Sequence, residues 1–518
     1  MHKILITVAS LVMASQLVFA QSGKSSTAFK LNLSAEMKEP SFSTISDYLG
    51  EDEDYIYVLR TKLGGIVILE SYDKKFALHS QKELELKVDR DWADINKVAY
   101  LDGQLFAFFT LVDKKAGETN LYYQPIEKGT LMLSGTLKKI ASISYDKKRE
   151  QGYFDYDISK DKKAIAIIAV HHAEKEMNEQ FTATVFDGVM NKLWQKDITL
   201  PYDSKLFVNE DLLLDNNGNI YIRGRIYTET VKEKKKGAPN YSYKILAYRD
   251  EGKSFKEYSV NLKDKFITDL GFNITDDDKL AVAGFYSDRG TTTIKGVCFM
   301  LIDAATEDVV KQGTKEFDAS FISLFSRKDV SKKKDDPELY EYDLDNIIIR
   351  SDGGALLLAE QFYIVERTYT TGTGSSVSTR TVYYYNYNDI IAVNINPNMS
   401  IAWATRIPKR QTTANDGGYY SSYAYAVKDD KIYLLFNDDP DNIGVNDPRS
   451  IAEYTSPKRS AATLVTMGSD GKWKKNLLFS NKEEGVILRP KICEQNSPDQ
   501  MFLYAEKGKN YMIGRVDL

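Results

Sequence analysis

The pattern of hydrophobic and polar residues repeats along the chain. Each repeat begins with a turn rich in Asp, Asn and Gly, and a short apolar or alternating strand follows it. This turn-and-strand pattern occurs eight times, at 51–60, 101–109, 159–170, 215–225, 275–285, 351–360, 428–436 and 497–506. Asp-Gly and Asn-Gly supply the positive φ angles of tight hairpins, and alternation with period two is typical of strands. The pattern therefore predicts an all-β fold built from one repeated unit.

A more polar strand follows in most of these units. It occurs seven times, at 82–88, 135–142, 193–200, 255–262, 309–317, 401–407 and 473–479. The eighth unit lacks it after the strand 511–516, and the segment AFKLNL at 28–33 is the natural donor. We therefore predict a single closed β-propeller of eight four-stranded blades, in which this N-terminal strand completes the last blade and leaves no long sheet edge open. The alternatives are seven blades, from a different division of 40–150, and a pair of β-sandwiches.

Helical signals are weak by comparison. The segments 89–97 and 171–180 are candidates for a helical turn or two. No amphipathic segment of helical length is visible after residue 20, so the pattern leaves the all-β prediction unchanged.

The first 20 residues have the pattern of a secretory signal peptide. Lys3 precedes an apolar stretch from Ile4 to Phe19, and Val18-Phe19-Ala20 places small residues at the −3 and −1 positions of a cleavage site. The stretch is too short and too interrupted to span a membrane, which takes about 20 apolar residues. No Cys follows the site to carry a lipid. We therefore expect a signal peptide over 1–20, a propeller domain over 21–518, and a location in the periplasm or outside the cell.

Charge and cysteine content narrow the class of protein. The formal charge of −5 becomes −6 when Lys3 is removed with the leader. A nucleic-acid-binding protein needs a basic field to meet phosphates, so this class is excluded. Cys298 and Cys493 lie far apart in strand-like segments. We predict buried free thiols, with a disulfide as the alternative, because a chain of this length can bury a sufficient core without one.

Five long insertions predict a binding face. Because strands alternate in direction within a blade, the loop between its second and third strands emerges at the same end as the connection to the next blade. The insertions fall in these two classes, at 228–243, 325–340, 365–389, 409–423 and 437–459. Functional residues concentrate on such loops above a rigid scaffold, so we expect all five on one functional face.

Tyrosines mark the predicted binding residues on this face. They lie in two of the insertions and are Tyr383, Tyr384, Tyr385, Tyr419, Tyr420 and Tyr423. Mixed with Ser, Thr and Gly, tyrosine gives a broad contact area with adaptable hydrogen bonding, which suits a protein or a glycan ligand. The alternative is that the tyrosines simply alternate along one strand of a long hairpin. The lysine runs at 232–236 and 332–334 are interpreted as solvated loops.

Motifs for catalysis or metal binding are sparse. The histidines after the leader are His79, His171 and His172, and no G-x-S-x-G, C-x-x-C or H-E-x-x-H motif accompanies them. The pair at 171–172 is interpreted as part of a loop. The acidic segment 438–444 has Ile443 where a calcium loop has Asp or Asn. The sequence therefore predicts no metal and no cofactor.

Two functional hypotheses follow. The first is an exported, monomeric, non-enzymatic binding or scaffold protein that uses the loop-rich face. The alternative is a carbohydrate-active hydrolase or lyase with acidic residues near the central channel, because paired carboxylates of that kind come together only in the fold.

Two hairpins resemble the outer hairpins of eight-bladed quinoprotein-type propellers. In VFDGVMNKLWQKDITL (185–200), Asp187 stands seven residues before Trp194, and in NINPNMSIAWATRI (394–407), Trp403 stands seven residues after Asn396. The resemblance implies that each Trp packs between neighbouring blades. The adjacent cysteines of the quinoprotein cofactor site, the Trp-Asp dipeptide of WD40 repeats and the kelch pattern are absent from the sequence. The chain as a whole resembles exported, uncharacterised propeller proteins of Bacteroidota bacteria, and this resemblance carries over no functional residue.

Overall fold

The fold is an eight-bladed β-propeller. The computed structural model of the protein describes residues 29–518 except 89, 148–150, 172–176, 263, 276–278, 304–305, 307–308, 326–329, 331–336, 351, 353, 372–376, 446 and 448. The predicted signal peptide and the lysine run 332–334 lie outside the described residues. Eight sheets of four or more strands follow one another along the chain.

Each blade has four antiparallel strands. They pair in sequence order in blades 1 to 7, and in blade 8 the fourth strand comes from the N-terminus. In blades 1 to 4 they are Ser43–Glu51, Tyr55–Lys62, Ile66–Asp73 and Leu78–Glu83; Asp91–Leu101, Gln104–Asp113, Glu118–Ile126 and Lys138–Ser144; Tyr153–Ile158, Ala164–His171, Asn178–Asp187 and Lys192–Asp203; and Phe207–Leu214, Ile220–Tyr227, Tyr241–Arg249 and Ser254–Val260. In blades 5 to 8 they are Phe266–Ile274, Lys279–Ser287, Gly296–Asp303 and Val309–Glu316; Tyr342–Ile349, Ala355–Thr371, Ser378–Ile395 and Ile401–Ile407; Ala424–Lys428, Lys431–Asp438, Ala461–Met467 and Trp473–Ser480; and Glu494–Ser497, Gln500–Lys507, Asn510–Asp517 and Leu31–Leu33. All eight predicted turn-and-strand segments supply the second strand of a blade, so the eight-bladed prediction is confirmed.

Short elements complete the described chain. The additional strands are Met37–Lys38, Leu86–Val88, Lys234–Lys235, Ala238–Pro239, Thr293–Ile294, Leu339–Tyr340, Gln411–Ala414 and Ile487–Leu488. The helical turns are Ala319–Ile322, Pro440–Asn442, Pro457–Arg459, Asn481–Glu484 and Pro490–Ile492. No helix among the described residues has the length and apolarity that crossing a bilayer requires.

The N-terminal strand closes the ring, as predicted. It is the fourth strand of blade 8, where Leu31 pairs with Val516 and Leu33 with Gly514. The backbone N–H of Ser34 continues the pairing with a 2.8 Å hydrogen bond to the carbonyl of Ile513. The two ends of the described chain are thereby joined in one sheet.

Hydrophobic clusters between neighbouring blades hold the ring together. Eight such clusters occur in the described structure, one for each pair of adjacent blades, including the pair formed by blade 8 and blade 1. Trp194 belongs to the cluster between blades 3 and 4, and its indole N–H donates to the carbonyl of Gly218 at 2.8 Å. Trp403 packs between blades 6 and 7 and donates to the carbonyl of Ser469 at 2.8 Å. Both tryptophans therefore have the interblade position expected of them.

Three local predictions need correction. Residues 91–101 form the first strand of blade 2, not a helical turn, because their pairing with Gln104–Asp113 overrides a weak local preference. In 171–180, His171 ends one strand and Asn178–Asp187 forms the next, while 172–176 lie outside the described residues. The fourth strand of blade 1 is Leu78–Glu83, and Leu86–Val88 pairs with blade 2. Cys298 and Cys493 are buried and free, as predicted.

The described parts of the five insertions follow the strand directions to one end of the propeller, which we call the loop face. The loops between second and third strands and the connections between blades all emerge there. Contacts join several of them. The Lys234 ammonium donates to the Arg289 carbonyl at 2.9 Å, and the Tyr454 backbone N–H donates to the Arg410 carbonyl at 2.8 Å.

Candidate functional site

A long hairpin of blade 6 is the most prominent feature of the loop face. Its strands Ala355–Thr371 and Ser378–Ile395 have 17 and 18 residues, and they pair as far as Thr371 opposite Ser378. The strand Gln411–Ala414 covers one edge of its base, up to Tyr384. Tyr383, Tyr384 and Tyr385 therefore lie along one strand of a long hairpin, which is the arrangement that the alternative prediction describes.

The outer part of this hairpin exposes apolar and aromatic side chains. Ile364, Tyr369, Val377 and Tyr383 are between 43% and 52% exposed. On one side, the hydroxyls of Tyr369 and Tyr384 lie 2.9 Å apart. Singly exposed apolar residues are ordinary, but here four lie on one projecting element, with Ile364 and Tyr383 on one face of the hairpin and Tyr369 on the other, and the ring uses neither face.

The six predicted tyrosines do not form one site. Tyr383, Tyr384 and Tyr385 lie on the hairpin strand. Tyr419 lies against blade 8, where the guanidinium carbon of Arg489 is 3.5 Å from its ring centroid, and the ring of Tyr420 packs edge-on against Tyr419. The prediction of Tyr423 as a binding residue of the loop face needs correction. Tyr423 is buried between blades 6 and 7, because its ring completes the interblade cluster and its hydroxyl donates to Asp345 at 2.8 Å.

Tyr387 joins the base of the hairpin to its neighbours. Its hydroxyl accepts a 2.9 Å hydrogen bond from the Lys491 ammonium, which also lies 4.3 Å from the ring centroid. A Cβ on Gly418 would lie 2.2 Å from the Tyr387 ring, so only glycine permits this contact. The hairpin base is thereby fixed against both the 409–423 segment and blade 8.

A small polar pocket lies at the base of the hairpin. Its volume is about 100 Å³, and three of the predicted insertions build it. It is lined by Gln361, Tyr363, Asn386, Asn388, Asp389, Arg410, Thr412 and Glu453. Thr412 joins all three insertions, because its hydroxyl lies 3.0 Å from Asn386 Oδ1 and 2.6 Å from Glu453 Oε1.

Buried ion pairs support this pocket from below. Lys409 pairs with Glu360, and Arg406 pairs with Asp389. Burial lowers the pKa of Lys409, and the nearby Glu360 opposes that shift. Removing one partner of such a pair costs about 3–5 kcal/mol, because a buried charge is left uncompensated. The pairs therefore fix the 409–423 segment against blade 6.

The acidic segment 438–444 is partly structural. The Asp438 carboxylate is buried, accepts from the Lys475 ammonium at 2.6 Å and accepts from the Asn442 amide at 2.7 Å. Asp439 caps the short helical turn Pro440–Asn442. These contacts account for two of the carboxylates that a calcium loop would have used.

A second candidate site lies on the propeller axis. The first strands of neighbouring blades contact one another and so line the centre of the ring. Between blades 4 and 7 they enclose a strongly polar cavity of about 420 Å³. Its polar lining comprises Glu210, Asp211, Arg223, Asp269, Asn273, Asp345, Asn346 and Tyr425. Arg223 lies 3.6 Å from a Glu210 oxygen and 3.9 Å from an Asp211 oxygen.

Burial raises the pKa of several carboxyls in this cavity. The pKa of Asp345 is raised to about 8 by burial and by the neighbouring charge of Glu360, although the Tyr423 hydroxyl opposes the shift. Asp343, which lies in the same strand as Asp345 but does not line the cavity, has its pKa raised to about 6 by burial and by Asp269. Asp345 is therefore mostly protonated near neutral pH. Burial also raises the pKa of Glu210, Asp211 and Asp269 in the same cavity, and carboxyls with raised pKa values are what general acid–base chemistry uses.

Bulges place these polar side chains. Six of the eight first strands contain a register shift that leaves one polar residue unpaired: Ser46, Asn96, Glu210, Thr268, Asp345 and Asn496. A bulge re-aims the side chain it carries, and Glu210 and Asp345 line the cavity. Sequence reasoning missed this set. The available signal was a polar residue at a similar position in the first strand of successive repeats.

His171 lies in a third polar region, between blades 2 and 3. Its Nε2 is 3.4 Å from the Thr182 hydroxyl, and that hydroxyl donates to Asp197 at 2.7 Å. Burial lowers the pKa of His171, and the nearby Asp197 opposes the shift. His171 thus ends a strand rather than lying in a loop, and its neighbour His172 lies outside the described residues.

Comparisons with known proteins find only remote structural likenesses. No protein-family model matches the chain, and no curated protein matches it. The WD40 domain of SCAP from fission yeast is similar over 95% of this chain and 98% of its own, at 9% identity and a TM-score of 0.39. The β-propeller domain of the Trilobed protease from Pyrococcus furiosus is similar over 86% and 98%, at 11% identity and a TM-score of 0.36. An α-L-arabinanase from Penicillium chrysogenum is similar over 63% and 94%, at 8% identity and a TM-score of 0.31. Likenesses this remote carry no argument about activity.

Proposed function

We propose that this is an exported, non-enzymatic binding protein that captures a protein or glycan ligand on the loop face of the propeller. The observation that carries the proposal is the blade 6 hairpin, which extends past the sheet with exposed Ile364, Tyr369, Val377 and Tyr383. Rigid aromatic side chains give large contact area at low entropic cost, and they dominate the energetics of binding surfaces.

The outer hairpin adds little to the folded ring. From Glu366 to Thr371, every side chain of the first hairpin strand is exposed, and the interblade clusters draw on residues nearer the base. Ordering an extended segment costs conformational entropy that its own contacts scarcely offset. The stability of the ring therefore does not explain this segment, whereas a contribution to ligand binding would.

A shortened hairpin tests the proposal. Residues 367–382 are replaced by Asn-Gly, which joins Glu366 to its cross-strand partner Tyr383 and leaves the pairing with Gln411–Ala414 intact. The mature protein and the variant are used to capture ligands from envelope extracts. We expect a retained species that is lost with the variant, while the melting temperature stays within a few degrees. Retention that does not depend on the hairpin would refute the proposal.

Export is tested by the N-terminus of the secreted product. The signal peptide pattern predicts that the protein isolated from the envelope or the medium begins at Gln21. Sequencing of that terminus, or its identification by mass spectrometry, decides the point. An intact Met1 in a cytoplasmic fraction would contradict export.

A second candidate is a carbohydrate-active hydrolase or lyase that uses the axial cavity. The observation that favours it is Asp345, whose pKa of about 8 keeps a proton available beside other carboxyls of the cavity. This candidate predicts cleavage of oligosaccharides by the wild type and a loss of at least about a hundredfold in Asp345→Asn, the scale of general acid catalysis. Absence of cleavage across neutral and acidic oligosaccharides would leave the binding function alone.

A further inference from the structure

We infer that the pocket at the base of the blade 6 hairpin is a subsite for a saccharide that bears a carboxylate, with Arg410 as the residue that recognises the carboxylate. The inference rests on the proposed function, because it names the ligand class of the same loop face. It draws on three observations: Arg410 has no partner among the described residues, the pocket wall is polar, and the backbone that carries Arg410 is anchored on both sides.

Arg410 stands apart from the other arginines of the protein. Its side chain is half-buried and lines the pocket, yet its guanidinium makes no hydrogen bond or ion pair with any residue that the structure describes. The other described arginines that are buried or half-buried all have such a partner. The guanidinium nitrogens of Arg410 are open to solvent, so a group from outside the protein can reach them. A ligand anion in the pocket would supply that partner.

A carboxylate fits this guanidinium best. Arginine presents a rigid planar fork of donors that matches the two oxygens of a carboxylate in a bidentate pair. Neither of the two carboxylates that share the pocket pairs with Arg410. Asp389 pairs with Arg406, and Glu453 lies 2.6 Å from the Thr412 hydroxyl. The free donors of Arg410 are therefore available to a group from outside the protein.

The rest of the wall suits sugar hydroxyls. All eight lining residues are polar, and most carry planar groups: the side-chain amides of Gln361, Asn386 and Asn388 and the carboxylates of Asp389 and Glu453. The Asn388 amide makes only long contacts, at 3.3 Å to Gln361 and 3.4 Å to Tyr363. The Asn388 amide is therefore available for hydrogen bonds to a ligand. A wall without aliphatic side chains favours a polyhydroxy ligand over a peptide, whose recognition draws on an apolar centre.

The pocket is held in shape before any ligand arrives. The neighbouring residue Lys409 is fully buried, pairs with Glu360 and donates to the carbonyl of Tyr387 at 2.9 Å. On the other side, Gln411 donates to the carbonyl of Asn437 at 2.7 Å. Arg410 is therefore carried by a fixed backbone between two anchored residues. A site of this kind loses little entropy on binding.

Matched oligosaccharides test the inference. The full mature protein is applied to immobilised tetrasaccharides that contain glucuronate, galacturonate or N-acetylneuraminate, each beside its carboxyl-reduced counterpart. We expect at least one acidic form to bind about tenfold or more tightly than its reduced counterpart, which corresponds to about 1.4 kcal/mol. In Arg410→Gln, the acidic form should bind only as well as the reduced form, whose own affinity is unchanged.

Two further variants separate recognition from folding. Arg410→Lys keeps the charge but loses the bidentate fork, so its affinity for the acidic form should lie between those of the wild type and Arg410→Gln. Arg449→Gln is the control, because Arg449 lies on the same face, is 83% exposed and pairs with Asp447. It should bind as the wild type does, and the melting temperatures of all three variants should match that of the wild type.

The outcomes distinguish this inference from the proposed function. Equal binding of acidic and reduced forms by the wild type, or unchanged discrimination in Arg410→Gln, overturns the role of Arg410. If no saccharide binds but Asp- or Glu-rich peptides bind in an Arg410-dependent way, the saccharide class is overturned and a peptide ligand replaces it. If hairpin-dependent capture from extracts persists while no saccharide binds, the proposed function stands and this inference fails.

Discussion

Leu33 pairs with Gly514, and this contact joins the N-terminal strand to the last blade. The strand also contributes to the cluster between blades 7 and 8, where Phe29, Leu31 and Leu33 pack against its buried core. One short strand therefore both covers the edge of blade 8 and seals an interblade interface.

Removing this strand should destabilise the whole ring. A chain that begins at Ser34 loses three partly buried apolar side chains and exposes the edge of Asn510–Asp517. We expect the free energy of unfolding to fall by about 3 kcal/mol or more, from the burial of these side chains alone. Thermal unfolding followed by circular dichroism measures the change.

Two controls accompany the truncation. A chain that begins at Thr27 keeps the strand and should unfold as the mature protein does. In the full chain, Gly514→Ala should reproduce part of the loss, because a Cβ there would lie 2.3 Å from the Asn32 carbonyl oxygen. Gly290→Ala, where the added Cβ meets no atom within 4 Å, should not. Equal stability of the two truncated chains would show that the strand does not close the ring.

The interblade tryptophans give a second prediction. Trp194 is 7% exposed and donates to Gly218 in the next blade, so Trp194→Ala leaves both a cavity and an unpaired carbonyl. We expect a loss of about 3–5 kcal/mol in the free energy of unfolding. Trp92 is 63% exposed, and Trp92→Ala should cost less than about 1 kcal/mol. Similar losses in chemical denaturation of the two variants would contradict the interblade role.

The pKa of Asp345 gives a pH dependence with a definite sign. Its folded-state pKa of about 8 lies above the ordinary aspartate pKa of 3.8, so between these values the folded protein holds a proton that the unfolded chain has lost. Stability therefore falls as the pH rises through this window, by up to about 1.4 kcal/mol per pH unit. Asp345→Asn keeps the neutral form and should flatten the decline.

Unfolding midpoints measured from about pH 5 to pH 8 test this sign. Asp345→Asn should become more stable than the wild type towards the alkaline end, whereas Asp430→Asn, at an exposed turn, should follow the wild-type curve. Parallel curves for the wild type and Asp345→Asn would mean that Asp345 is ionised throughout.

The repeat and its closure could be predicted from sequence because each depends on local signals. Turn residues and strand periodicity recur at the second strand of each blade. The last blade lacked a fourth strand after 511–516, and the N-terminal segment was the one available to supply it. The helical prediction for 89–97 is wrong at 91–97, because pairing with the neighbouring strand decides the conformation of these residues. Local patterns do not contain that information.

The candidate sites were less predictable, for a physical reason. The binding prediction named tyrosines of the hairpin, and it also included Tyr423, whose burial depends on how blades 6 and 7 pack. Arg410 and Asn388 carry no motif, since three separate insertions must meet before they share a pocket. The axial carboxyls are likewise brought together by bulges in different blades.

The most direct test of the binding function compares two exposed tyrosines of the hairpin with one exposed side chain at the opposite end of the propeller. Tyr369 and Tyr383 are each 43% exposed on the hairpin, and Val189, 46% exposed, lies in a turn at the opposite end of the propeller. The affinity of the double variant Tyr369→Ser/Tyr383→Ser for the ligand retained from envelope extracts is measured beside that of Val189→Ser. We predict a loss of about tenfold or more for the hairpin variant, the scale of aromatic contacts at binding surfaces, and no change for Val189→Ser. Wild-type affinity in the hairpin variant would contradict ligand capture by the loop face.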